Sequence, residues 1–174
     1  MTDWLIASTI LVPWIGALVV WLTGDERSAL QHRLAVGFSV VAGVCALLLL
    51  PSYDSIPALS IEVGSVFGTF TFVPDGLAVF LAAVATVIGS LAVIFSVDYM
   101  RGEEDLGRYY ALVLFFIGAM VGLVLSGSLF LMFVFWELTT ICSYALLSFY
   151  NDGPKAVAGG LRALHEEPHR LGVP

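Results

Sequence analysis

The 174-residue sequence is 59% hydrophobic and only 12% charged, with a mean hydropathy of +0.97. A soluble domain carries about 25% charged residues, so this composition excludes an ordinary soluble protein and predicts an integral membrane protein. The net charge of −7 and the seven scattered Lys and Arg residues argue against nucleic-acid binding, because contacts to phosphates need clustered basic side chains.

Five apolar segments are long enough to cross a bilayer, which takes about 20 helical residues. Residues 109–151 contain a single charge, and as one helix they would extend about 65 Å, roughly twice the hydrocarbon thickness. We therefore expect a turn at 126–128, where Ser-Gly-Ser interrupts the apolar run. The predicted fold is an all-α membrane protein with five transmembrane helices, at residues 5–22, 34–50, 76–97, 110–125 and 129–149.

The connections between these segments carry further signals. In the 51–75 loop, apolar and polar residues alternate on both sides of Gly64-Ser65, which predicts a short β-hairpin. Gly118 and Gly122 form a GxxxG pattern that allows another helix to approach closely. His32 lies among charged residues at a membrane edge, and we interpret it as a solvated surface side chain.

The distribution of basic residues predicts the orientation of the chain. With five spans, all seven Lys and Arg residues fall on one side of the membrane, and none falls on the other. The positive-inside rule places that side in the cytoplasm, so we expect the N-terminus outside and the C-terminus inside. These residues are Arg27, Arg33, Arg101, Arg108, Lys155, Arg162 and Arg170.

Glu137 lies near the middle of the fifth predicted helix, where a carboxyl group costs about 2.5–3.5 kcal/mol on insertion scales. At 100° per residue, Thr140, Tyr144 and Ser148 share its face of the helix, and their hydroxyls are able to donate to a carboxylate or hold water beside it. A carboxyl so placed suits a proton relay. The alternative from the residues alone is a permanently protonated side chain that packs against a neighbouring helix. The predicted spans contain no Lys, Arg or His that would pair with it.

No cofactor or metal site is predicted. The sequence lacks a CxxC motif and a glycine-rich phosphate loop after a strand. Cys45 and Cys142 both lie in predicted spans, where we interpret them as small buried apolar residues. We therefore expect no catalytic residue within this chain.

Residues 135–149, FWELTTICSYALLSF, resemble the glutamate-bearing fifth helix of antiporter-like membrane subunits. Such subunits occur in respiratory complex I, Mrp-type sodium/proton antiporters and membrane-bound hydrogenases. Asp75-Gly76-Leu77 is similar to the triplet that opens the third helix of that family, and residues 96–100 are similar to the motif that closes it. The resemblance covers residues 5–164.

The resemblance implies that Glu137 is the carboxylate of the family's proton-translocating ion pair, whose partner is a lysine on a later helix. It also implies that residues 1–164 are the N-terminal portion of an antiporter-like transmembrane domain. Residues 165–174 contain two prolines and several charges, and we expect them to form a disordered tail left by a truncation, a frameshift or a split gene. The implied partners are other membrane subunits, one of which supplies the remaining helices, in the plasma membrane.

The predicted function is therefore that of an N-terminal fragment of a subunit that translocates protons, or exchanges sodium for protons. Its parent would be an Mrp antiporter or an NADH:quinone oxidoreductase-like complex, with any redox site on other subunits. Glu137 would bind the proton, and Thr140, Tyr144 and Ser148 would support it. A non-transporting scaffold or assembly subunit, with Glu137 as a protonated packing residue, is the alternative.

Overall fold

The computed structural model describes residues 3–24, 28–51, 53, 56–62, 69–100 and 105–149. Five of its helices are long and apolar enough to cross a membrane, as the sequence predicted. They are α1 (Asp3–Leu22), α2 (Ser28–Leu49), α3 (Gly76–Tyr99), α4 (Leu106–Leu125) and α5 (Leu129–Leu147). The predicted hairpin is also confirmed, as strands β1 (Leu59–Glu62) and β2 (Thr69–Phe72). Its turn and the predicted tail at 165–174 lie outside the described residues.

Two helices begin at least four residues earlier than the sequence predicted. Helix α2 starts at Ser28 rather than at residue 34, and α4 starts at Leu106 rather than at residue 110. Charged residues do not mark these boundaries, because Arg33 and Arg108 lie within the first two turns of the two helices. Their long side chains allow the charge to reach the membrane surface while the backbone stays helical. The predicted spans at 34–50 and 110–125 contain no basic residue, whereas the longer helices α2 and α4 do, near their starts.

Helix α4 is the centre of the bundle and contacts each of the other four helices. Of the residues in the most apolar part of α4, 44% are buried, whereas in the most apolar part of α5 only 17% are buried. Helix α5 packs mainly against α4. It therefore lies at the edge of the bundle, with most of its surface uncovered by the described part of this chain.

The GxxxG pattern of α4 receives side chains from two different helices. A Cβ at Gly118 would overlap the Trp14 ring of α1, and a Cβ at Gly122 would overlap the Phe135 ring of α5. Trp14 is also fixed by Phe115, because the two rings stack with centroids 4.9 Å apart and Trp14 Nε1 donates to the Phe115 carbonyl at 3.1 Å. The pattern thus serves close packing, as the sequence indicated.

The hairpin is joined to the turn between α4 and α5 by backbone hydrogen bonds. The Gly127 N–H donates to the Thr71 carbonyl at 2.7 Å, and the Val73 N–H donates to the Leu125 carbonyl at 2.8 Å. Ser128 then caps α5, since its hydroxyl oxygen accepts from the Leu131 N–H at 3.3 Å. The start of α5 is therefore held in place by the sheet.

His32 is half-buried rather than solvated, so its interpretation as a surface side chain was wrong. Its Nδ1 lies 2.7 Å from the hydroxyl of Tyr110, which is fully buried. The neighbouring Tyr109 hydroxyl lies 2.8 Å from the hydroxyl of Ser96 in α3. These contacts connect the first turns of α4 to α2 and α3, and they explain why the helices extend into the charged segments.

We expect Gly122→Ala to lower the free energy of unfolding by about 1–3 kcal/mol, the usual cost of overpacking a buried contact. The new Cβ would meet the Phe135 ring, which is only 5% exposed and has little room to move. Thermal unfolding of the purified chain in detergent measures the effect. Gly37→Ala is the matched control, because a Cβ at Gly37 of α2 meets nothing within 4 Å. Equal melting temperatures for the two variants would contradict the prediction.

Candidate functional site

Glu137 lies near the middle of α5, and its side chain is exposed on the outer face of the bundle. Three large apolar side chains surround it on that face: Phe133, Trp136 and Ile141 are 60%, 59% and 58% exposed. A carboxyl in contact with hydrocarbon is costly unless it is protonated, hydrated or covered by protein. This face of α5 is therefore suited to contact with further protein or with water.

The rotation of α5 that turns Glu137 outward is set by Phe135. Phe135 packs onto Gly122, and its ring lies 6.0 Å from those of Trp14 and Phe72. Successive helical residues turn by about 100°, so the residue two positions later points away from the bundle. The apolar anchor and the acid are consequently on opposite sides of the same helix turn.

The three hydroxyl residues predicted beside Glu137 become more buried along α5. Thr140 and Tyr144 are half-buried, and Ser148 is only 6% exposed. The Thr140 hydroxyl donates to the Trp136 carbonyl at 3.1 Å, while the Ser148 hydroxyl has no partner among the described residues. Within the same described part of the chain, no hydrogen bond joins Glu137 to any of the three. A connection between them therefore needs bridging water.

A groove of about 390 Å³ lies between α4 and α5; its lining includes Trp136, Thr139 and Thr140, which are close to Glu137 in sequence, but not Glu137 itself. Thr139, Thr140 and Ser143 form its polar side, and Phe116, Met120, Leu123 and Trp136 form the remainder. The Thr139 hydroxyl donates to the Trp136 carbonyl at 2.7 Å, and the Ser143 hydroxyl donates to the Thr139 carbonyl at 2.9 Å. Their oxygens keep lone pairs, so the groove is able to accept hydrogen bonds from water or to contact a cation.

Sequence reasoning missed Thr139 and Ser143, because it considered only the side chains on the Glu137 face. Their spacing of four residues was the available signal, since it places both hydroxyls on one face of a helix. That face became relevant only when the structure placed α4 beside it.

The basic side chains that the structure describes are far from Glu137. They are His32, Arg33 and Arg108, which lie in the first two turns of α2 and α4. These turns are at the same side of the bundle as the end of α5. Glu137 is ten residues before Leu147, the last residue of α5, and so lies about 15 Å along the helix axis from that side. In this part of the chain, then, no cation is available at the depth of the carboxyl. The described residues also contain no group of three or more metal-ligating side chains.

Comparisons with known proteins point to one family. Residues 61–110 match the family described as NADH-ubiquinone oxidoreductase (complex I), chain 5 N-terminus. The chain is 35% identical over 170 residues to the A/B component of a probable K(+)/H(+) antiporter of Rhizobium meliloti, an alignment that covers 92% of this chain and 16% of that relative. The resemblance to antiporter-like membrane subunits is confirmed. The chain is also 40% identical over 90 residues to the A1 component of a Na(+)/H(+) antiporter of Staphylococcus haemolyticus, covering 52% of this chain and 11% of that relative.

Chains of two solved membrane complexes share this arrangement of helices. A chain of the Mrp complex from Dietzia sp. DQ12-45-1b superposes with a TM-score of 0.71 and 26% identity, covering 91% of this chain and 18% of that one. A chain of the archaeal membrane-bound sulfane sulfur reductase superposes with a TM-score of 0.67 and 19% identity, covering 91% of this chain and 33% of that one. At this identity, the likeness shows a common fold only. The present chain thus spans a third or less of each of these four relatives.

We expect Glu137→Gln to change the free energy of unfolding of this chain by less than about 0.5 kcal/mol, as is usual for exposed positions. The reason is that the carboxyl has no hydrogen bond within the described residues. Phe135→Ala, two positions away, should cost about 3–5 kcal/mol, because it removes a buried ring. Thermal unfolding in detergent compares the two. A large loss with Glu137→Gln would indicate that the acid is a packing residue.

Proposed function

We propose that this chain is the N-terminal part of a membrane subunit that exchanges a monovalent cation for protons, with Glu137 as its intramembrane proton-binding residue. The observation that carries the proposal is the position of the carboxyl. It lies at mid-helix on a face that the described residues leave uncovered, and its sequence neighbours Trp136, Thr139 and Thr140 line the hydroxyl-bearing groove between α4 and α5. An acid used only for internal packing would be expected to point into the bundle.

The proposed step is a change of protonation at the Glu137 carboxyl. Apolar surroundings favour the neutral, protonated form, whereas water or a nearby cation favours the carboxylate. Helix α5 presents both kinds of surroundings, with aromatic rings on the outer face and hydroxyls along the adjacent groove. A change in what covers this face would therefore load or release a proton.

Thr140, Tyr144 and Ser148 are proposed to hold the water that connects Glu137 with the end of α5. The increasing burial of these residues leads from the exposed acid into the bundle. Ser148 has an unpaired buried hydroxyl in the described structure, and such a group typically binds an ordered water. From the distribution of basic residues we infer that this end of α5 is at the cytoplasmic surface of the membrane.

The relatives support the substrate class and the partners. Two are named as K(+)/H(+) and Na(+)/H(+) antiporter subunits, and a structural relative belongs to an Mrp complex. We infer that further helices cover the outer face of α5 and supply the cation that Glu137 lacks among the described residues, either on a longer form of this chain or on another membrane subunit. Any redox reaction of the parent complex would belong to other subunits.

Glu137→Gln should lower cation-dependent proton flux by at least about 100-fold, the scale associated with loss of a positioned proton-transfer group. Glu137→Asp should retain part of the flux, because it keeps a titratable carboxyl on a shorter side chain. The measurement uses vesicles that contain the assembled complex and follows the decay of a proton gradient when potassium or sodium is added. Glu62→Gln is the control, since that carboxyl is exposed on β1, outside the helices.

The same experiment tests the scaffold alternative. If Glu137→Gln reduces the amount of assembled complex but leaves the flux of each complex unchanged, Glu137 is a packing residue and the proton-binding proposal fails. Quantifying the complex in each vesicle preparation by immunoblot separates the two results.

Tyr144→Phe and Thr140→Val should each lower the flux by roughly fivefold, equivalent to the loss of about one hydrogen bond. Both replacements keep the shape of the side chain and remove its hydroxyl. Ser8→Ala is the matched control, because it removes a half-buried hydroxyl from α1, where it bonds to its own helix. A loss as large with Ser8→Ala would show that the flux responds to packing rather than to these hydroxyls.

A further inference from the structure

A second groove lies between α1 and α4, and one basic side chain stands at its end. The groove has a volume of about 340 Å³. Its walls include Trp14, Leu18, Trp21, Leu112 and Phe115, and among the described residues Arg108 is the only charged one that lines it. The groove does not involve α5 or Glu137, so it is independent of the proposed proton site.

The depth of the groove follows from the two helices that form it. Trp21 lies at the end of α1 and Arg108 lies near the start of α4, so both are at the same membrane surface. Trp14 and Phe115 are each seven residues further in, about 10 Å along the helix axis. The stacking of these two rings at 4.9 Å, together with the hydrogen bond from Trp14 Nε1, gives the groove a fixed inner end.

The walls of the groove face the surroundings of the bundle rather than its core. Leu18 and Trp21 are 55% and 62% exposed, and Arg108 is also exposed. Tryptophan beside a basic residue is typical of the level of the lipid headgroups in a bilayer. The outer end of the groove is therefore open to a lipid molecule, whereas Trp14 and Phe115 at the inner end are half-buried.

We propose that this groove binds an anionic phospholipid. Its phosphate would lie against the Arg108 guanidinium, and one acyl chain would follow the apolar walls toward Trp14. Guanidinium binds phosphate oxygens through two parallel hydrogen bonds. The apolar walls and the terminal cation match the two parts of such a lipid, and the described residues place no carboxylate in the groove that would repel the phosphate.

The size of the groove favours a lipid chain over a protein helix. The groove has a volume of about 340 Å³ and extends about 10 Å along the helices, from Arg108 to Phe115. An α-helix with its side chains is about 10–12 Å wide and has a cross-section of roughly 80–110 Å². A helix from another subunit would cover the groove without filling it, whereas an extended hydrocarbon chain fits inside.

Fluorescence quenching by brominated lipid tests the proposal with the full 174-residue chain. Trp4→Phe and Trp136→Phe leave Trp14 and Trp21 as the reporting tryptophans, both of which line the groove. The chain is inserted into vesicles of phosphatidylglycerol and phosphatidylcholine, with bromine on one lipid and then on the other. We expect a preference for phosphatidylglycerol of about fivefold, the contribution of one basic side chain near the surface.

Three variants separate a specific site from general attraction to an anionic surface. Arg108→Gln should abolish the preference, and Arg108→Lys should retain part of it as a point charge. Arg33→Gln should leave the preference unchanged, because Arg33 is an exposed basic residue at the same membrane surface but does not line the groove. Ala111→Phe narrows the groove and should reduce quenching of Trp14 with Arg108 intact.

Several results would overturn the proposal. They are equal quenching by the two brominated lipids, an unchanged preference in Arg108→Gln, or an equal loss in Arg33→Gln. Loss of the preference on adding millimolar inorganic phosphate would show that Arg108 binds the free ion rather than the lipid. Weak quenching by both lipids would show that a second copy of the chain covers the groove. Circular dichroism confirms that each variant remains helical, and Ala111→Phe keeps the test open if Arg108→Gln fails to insert.

Discussion

The contact between Gly122 and Phe135 determines how α5 presents its side chains. A transmembrane bundle gains little from the hydrophobic effect between helices, because lipid tails are as apolar as the side chains. Association then depends on close packing, and the absence of a Cβ at Gly122 allows the Phe135 ring to approach the α4 backbone. This contact turns the apolar side of α5 toward α4. The carboxyl of Glu137 is turned outward as a result.

Helix α4 has a different groove on each side, and the chemistry of the two differs. Toward α5 the groove carries hydroxyls from Thr139, Thr140 and Ser143, whereas toward α1 it carries two tryptophans and a terminal arginine. Hydroxyls at the depth of the hydrocarbon suit water and small cations, and an arginine at the surface suits an anionic headgroup. Gly118 and Gly122 of α4 allow α1 and α5 to pack closely against it. The same GxxxG pattern therefore shapes both grooves.

The five spans and the hairpin were predictable because their signals are strong and local. Apolar runs of helical length have few alternatives, and the alternation around Gly64-Ser65 marked the two strands. The starts of α2 and α4 were not predictable from charge, since Arg33 and Arg108 stay helical while their side chains reach the surface. His32 was misinterpreted because its partner, Tyr110, is 78 residues away in sequence.

The position of Glu137 at mid-helix was likewise evident from the sequence, but its direction was not. Helical periodicity places Thr140, Tyr144 and Ser148 on its face, yet it does not show which face meets the bundle. That choice depends on tertiary contacts of Phe135 with residues from α1, α4 and β2. The groove lined by Thr139 and Ser143 has the same origin, because it exists only where two helices meet.

The hydrogen bonds along α5 have a mechanical consequence. The hydroxyls of Thr139, Thr140 and Ser143 all donate to carbonyls of their own helix, whereas the preceding turn is bonded to the hairpin through Gly127. The hydrogen bonds to the sheet therefore hold the beginning of α5, whereas just after its end the Phe149 ring packs edge-on against Tyr109 of α4, with centroids 5.5 Å apart. The helix is thus able to tilt about its beginning, where it is bonded to the sheet. A tilt of about 5° would move Glu137 by about 1 Å and Leu147 by about 2 Å, without breaking any of these bonds.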